Sequence, residues 1–195
     1  MEPLLANPGI DPFFRGLQAK FQRRYAAAIE IFSSEVAAKT KRGEAAGGTP
    51  LAFCQRWAGD VAAARATFED DVQDFQRELE KTAPDSNAAA DTHAALGLAY
   101  AGLGEAASAI AEGQKAMAMR PTSKDPFEGP VIEENMATIY ALLGDADHAI
   151  PILKRLLQIP YGGVPITPAA LRLDPVWDQI RNDPRFQELA AEKKP

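Results

Sequence analysis

Four sets of residues recur along this 195-residue chain at one shared spacing. A small residue stands at Gly16, Ala52, Gly97 and Ala137, at intervals of 36, 45 and 40 residues. Seven residues after each come Arg23, Gly59, Gly104 and Gly144. Five further on stand Ala28, Ala64, Ala109 and Ala149, and four beyond those Phe32, Phe68, Gly113 and Leu153. Each copy reads as a helix, a tight turn and a second helix. The small residues and the alanines let the two helices approach closely, and glycine suits the turn. A chain of such pairs folds by stacking them, because one pair cannot bury its apolar side alone. The plentiful alanine favours helix, since alanine loses least on entering one.

The clearest copy runs from His93 to Pro121 and holds Leu96-Gly97, Tyr100, Gly104, Ala109, Ala116 and Pro121. It resembles a tetratricopeptide (TPR) repeat, W-x2-LG-x2-Y followed by A-x3-F, A and P, with His93 for the tryptophan and Gly113 for the phenylalanine. The second copy has Gln55 at the tyrosine position. The first departs most, with Arg15 at the leucine and Ala19 at the tyrosine, as an end repeat with one neighbour can. The resemblance implies an all-α fold, a TPR-like right-handed superhelix of about four helical hairpins with a short helical C-terminal cap. The repeats fall at about 10–42, 46–83, 90–121 and 130–160 within a single domain over 1–195, and the cap at 168–192.

The interruptions are equally readable. The second helix of the second copy is long, from Val61 to about Lys81, and stops before Pro84. Lys41–Pro50, with three glycines and a proline, reads as a flexible surface loop, and Pro121–Pro130 cannot be helical. The tail from Leu171 to Glu192 carries Asp174-Pro175 and Asp183-Pro184, each a helix-start signal. Two short helices follow from this, with Trp177, Ile180, Phe186 and Leu189 as their buried faces. The runs Ser123-Lys-Asp, Tyr140-Ala-Leu-Leu-Gly-Asp145, Pro160-Tyr-Gly-Gly, Leu171-Arg-Leu-Asp-Pro-Val-Trp-Asp and Asn182-Asp-Pro-Arg-Phe make a narrower resemblance. They look like the C-terminal TPR segment of bacterial multidomain signalling proteins, where such arrays follow a kinase, an adenylate cyclase or a winged-helix module. No motif of such an effector occurs in this chain.

Charge and composition exclude several functions. With 21 basic against 27 acidic residues, the chain lacks the positive surface that gripping nucleic-acid phosphates requires. Its longest uncharged stretch, 156–171, is broken by three prolines and a Gly-Gly pair, so no membrane-inserting helix is expected. The N-terminus has neither the basic nor the apolar region of a signal peptide, and the expectation is a soluble chain, cytoplasmic in preference to periplasmic. Cys54 stands alone, which removes internal disulfides and thiolate metal sites.

No catalytic constellation, cofactor motif or metal spacing is found. His93 and His148 read as helix-start residues and lack the paired spacing of a metal site. The Gly-Gly pairs lack the lysine and context of a phosphate loop, and Asp125 to Glu128 lacks EF-hand spacing. The acidic run Glu69-Asp70-Asp71 with Asp74 reads as a solvated helix face.

The resemblance instead implies binding in the concave groove, on fixed positions of the first helices. Carried over residue by residue, these are Lys20 and Phe21, Arg56 and Trp57, then upstream Leu17, Phe53, Leu98 and Thr138, and further up Glu134. A cation followed by an aromatic thus recurs in adjacent repeats of an acidic chain, a surface suited to an acidic or C-terminal peptide segment. The plainer reading makes Phe21 and Trp57 core and the cations solvated. Phe13 and Leu17 stand where a chaperone-tail clamp needs lysine and asparagine, so that adaptor role is discounted. A second reading is a self-associating regulatory domain, a homodimer joined through an open repeat face near Phe13-Phe14, bringing attached effector domains together.

Overall fold

The computed structural model describes residues 9–42 and 47–191, and among them all regular structure is helical. Four hairpins succeed one another: α1 (Pro12–Phe21) with α2 (Tyr25–Lys41), and α3 (Thr49–Trp57) with α4 (Val61–Lys81). Then come α5 (Asn87–Leu103) with α6 (Ala106–Met119), and α7 (Gly129–Leu142) with α8 (Ala146–Leu156). A tail of α9 (Pro168–Leu173), a 3-10 turn (Pro175–Trp177) and α10 (Pro184–Ala190) ends the described chain. The centre of the Lys41–Pro50 loop and the first residues of the chain lie outside the described residues, as does Glu192.

The four turns share one geometry. Arg23, Gly59, Gly104 and Gly144 all take left-handed backbone, with φ of +56°, +93°, +80° and +76°. The amide after each donates to the carbonyl five residues back: Arg24 to Ala19, Asp60 to Gln55, Glu105 to Tyr100 and Asp145 to Tyr140, at 2.8–2.9 Å. Each left-handed residue itself donates three residues back, to Lys20, Arg56, Ala101 and Ala141. This double bond pattern closes a helix and leaves two carbonyls satisfied. Glycine reaches it without steric cost, whereas Arg23 does so against the clash of its own Cβ.

Burial follows the recurring residues. Ala28, Ala64, Ala109 and Ala149 are fully buried, and Phe32, Phe68 and Leu153 nearly or wholly so. The pairing of small with large is specific to each hairpin. A Cβ on Gly16 would lie 2.5 Å from the Phe32 ring, so glycine in α1 makes room for the aromatic in α2. In the third hairpin the large side chain is missing, and the fourth supplies the filling instead. A Cβ on Gly113 would meet Met136 Sδ at 2.5 Å and Ile139 Cδ1 at 3.0 Å.

The contacts of the chain fall into two compact units, Met1–Asp74 and Phe75–Pro195, and the division lies inside α4. In the first, Ala19, Ala28, Phe32, Leu51 and Cys54 form the core, flanked by Leu17, Val36 and Trp57. In the second, Ala101, Ala109, Met136 and Ile139 form one cluster and Ala94, Ala116 and Ile132 another. The Pro121–Pro130 loop is ordered by Asp125, which accepts from the amides of Phe127 and Glu128 and from Arg120. Those bonds hold its carboxyl below the usual range. Arg120 also reaches Asp91 on α5 at 3.1 Å.

The tail covers α7 and α8, burying Trp177, Ile180 and Phe186. Asp174 accepts from the Val176 amide and Asp183 from the Arg185 amide, the caps that the two Asp-Pro steps announce. The tail has one helix more than the sequence suggested. Thr167-Pro168 starts α9 by the same device, its hydroxyl accepting from the Ala170 amide. Arg181 fastens the end of that helix, donating to the carbonyls of Leu171, Arg172 and Asp174.

Candidate functional site

The first helices of the first unit end alike: a cation, an aromatic, one further residue, then the left-handed turn. On α1, Lys20 Nζ lies 4.8 Å from the centroid of the adjacent Phe21 ring. On α3, the Arg56 guanidinium lies 5.3 Å from the Phe68 ring on α4. Burial holds the Arg56 pKa below its ordinary value, yet the group remains a cation at any physiological pH. Both cations are thus held at ring faces, where the aromatic quadrupole attracts them.

The aromatics are not all equally available. Phe53 is 7% exposed, stacked on Trp57 at 5.5 Å and edge-on to Phe68 at 4.9 Å. It is a core residue first. Trp57 and Leu17 are half-buried, and both pack against the cluster of Ala19, Phe32 and Cys54. Tyr25, which no sequence signal singled out, places its ring 6.0 Å from Trp57. Phe21 and Lys20 remain partly exposed. Lys20 and Phe21 at the end of α1, and Arg56 and Trp57 at the end of α3, are thus each partly exposed.

In the second unit the carried-over positions are differently employed. Leu98 packs on the cluster of Ala101, Met136 and Ile139. Glu134 accepts a 2.7 Å hydrogen bond from the Tyr161 hydroxyl, which accepts in turn from the Ile166 amide. That pair fixes the Pro160–Pro165 bend, and burial pushes the Tyr161 pKa up. Thr138 is half-buried on α7. The α7 start also carries Glu133, held by Arg155 and by the Thr122 hydroxyl.

Two polar residues stand otherwise than the sequence suggested. Asp71 belongs to no solvated face: it is 2% exposed, whereas Glu69 and Asp70 are exposed. Its Oδ1 accepts from the Gly48 amide and its Oδ2 from the Thr49 hydroxyl, both at 2.6 Å. Burial raises its pKa to about 6, partly offset by those two bonds and reinforced by Asp74 and Asp70. His93 is not at a helix start but in the middle of α5, because Ser86 caps that helix well upstream. It is buried, with Nδ1 2.5 Å from Glu112 on α6. His148 does lie in the first turn of α8, bound to Asp145 and stacked on Tyr140.

Among the described residues no three His, Cys, Asp or Glu side chains gather as a metal site, and no helix is long and apolar enough to cross a membrane. Neither a family model nor a curated protein matches the chain. A crystal structure from Podosopora anserina, described as a putative kinesin light chain with nearly identical TPR-like repeats, is similar over 91% of this chain and 89% of its own. Its sequence identity is 16% and its TM-score 0.49. The hairpin assignment rests on the chain itself, in which one turn geometry and one set of buried positions occur four times.

Proposed function

We propose that this chain is a non-catalytic protein-interaction module that takes a peptide or protein segment on the first helices of its hairpins. The observation that carries the reading is the repeated end of α1 and α3, where Lys20 and Arg56 are each held at an aromatic face. Such a surface favours a segment with a carboxylate beside an apolar side chain, an acidic stretch or a C-terminus. Leu17, Phe53 and Trp57 serve it as packed support, while Leu98, Glu134 and Thr138 are the corresponding positions of the later hairpins. The likeness of the tail motifs to bacterial signalling proteins supports a place in a cytoplasmic signalling assembly.

The test is a display selection with random peptides bearing free C-termini, followed by fluorescence anisotropy on the winners. Lys20→Glu with Arg56→Glu is expected to weaken a selected peptide at least tenfold while helicity stays unchanged. Salt should weaken the wild-type complex, since these cations are partly exposed. Winners that bind the double variant as well as the wild type would refute this placement.

A further inference from the structure

The first hairpin holds a second surface, lined by residues other than those carried over from the first-helix ends. α2 buries Ala28 and Phe32 in the core of the first unit. Beside that stripe, α1 and α2 leave an open cleft of about 400 Å³ lined by Pro12, Arg15, Arg24, Glu30, Ile31 and Glu35. The charges in it are unspent. None of Arg15, Arg24, Glu30 and Glu35 makes an ion pair among the described residues, although the chain forms many elsewhere. Arg15 is half-buried, and its Nε, like the Oε1 of Gln18 one turn further along α1, is a buried polar atom without a hydrogen-bond partner. A buried donor left in this state costs free energy that an incoming acceptor recovers.

Two cations and two carboxylates in one cleft are a poor match for an acidic peptide, since Glu30 and Glu35 would repel it, and a basic one meets the arginines. They are a good match for the same cleft turned about a two-fold axis. In such a pairing each contact occurs twice, arginine of one copy to glutamate of the other and the reverse. Ile31 and Pro12 supply apolar contact between the charges. We infer that this cleft is a homotypic interface: a second copy of this chain docks antiparallel across α1 and α2, pairing Arg15 and Arg24 with Glu30 and Glu35 of its partner.

Charge exchange tests this directly. By light scattering behind a sizing column, the wild-type mass should rise with concentration toward twice 21.0 kDa and fall back in high salt. Arg15→Glu with Arg24→Glu should be monomeric, and so should Glu30→Arg with Glu35→Arg, each keeping the wild-type circular dichroism. Mixing the two variants should restore the dimer, because the reversed clefts again complement each other. A wild type that is monomeric throughout overturns the proposal. So does a dimer that neither variant disturbs, or two monomeric variants that fail to pair when mixed. A dimer lost on removing residues 1–8 but kept by both charge variants would also overturn it, placing the contact on the N-terminal segment instead. The first-helix peptide test uses other residues, so either reading can fail alone.

Discussion

Replacing Asp71 by asparagine should make the first unit more stable at neutral pH and erase most of its response to pH between 4 and 7. The carboxyl is buried, and its pKa rises from 3.8 to about 6 in the fold. Well below the lower value it is protonated in folded and unfolded chains alike, and contributes nothing. Between the two values the folded chain keeps a proton that the unfolded chain has lost. Stability therefore falls as pH rises through this window, and the loss is complete above the folded pKa. A shift of about 2 units at 1.36 kcal/mol per unit gives about 3 kcal/mol in total, of which about 2 kcal/mol develops between pH 4 and 7.5. Asparagine keeps both contacts: its carbonyl accepts from the Gly48 amide, and its amide donates to a Thr49 hydroxyl whose proton turns away. Urea unfolding would be followed by the fluorescence of Trp57 in a Trp177→Phe background, which leaves one reporter in the first unit. The stability difference between variant and parent should widen by about 2 kcal/mol from pH 4 to 7.5. A difference that stays flat with pH would refute the buried, proton-retaining carboxyl. Asp71→Ala, which strands the Gly48 amide, should instead destabilise by about 1–3 kcal/mol at pH 5.

Two further substitutions probe the repeat geometry. Gly97→Ala should cost about 1–3 kcal/mol in thermal or urea unfolding, because its Cβ would lie 2.8 Å from Ile139 Cδ1 and 3.1 Å from the Ala109 carbonyl oxygen. Arg23→Gly should stabilise by about 1 kcal/mol by relieving a left-handed residue with a side chain. Gly104→Ala, at φ +80° with open space around it, should lose a similar amount from backbone strain alone.

Much of the fold was legible because its signals are local. A left-handed turn needs glycine at a fixed distance from a small residue and an alanine, and that spacing survives even where arginine replaces the glycine at position 23. The long α4 is written in an uninterrupted stretch between Asp60 and Pro84, and the Asp-Pro caps of the tail carry their own hydrogen-bond acceptors. Thr167-Pro168 carries the same start signal, but α9 behind it is only six residues long. What the sequence hid depends on distant partners. Asp71 looks like its exposed neighbours Glu69 and Asp70 until α3 brings the Gly48 amide and Thr49 hydroxyl against it from more than twenty residues away. Tyr25 reaches Trp57 only through the packing of the first two hairpins. The cation–aromatic steps were legible as a recurrence, but that Arg56 lies over Phe68, on the next helix, was not.

The account turns on where a partner touches the chain, and amide chemical shifts of the labelled protein, titrated with a selected acidic peptide, report this most directly. Shifts gathered at residues 17–22 and 53–57 would place the segment on the first-helix ends, as the account predicts. Shifts confined to the cleft around Arg15, Arg24 and Ile31, or to the tail from Thr167 onward, would contradict it.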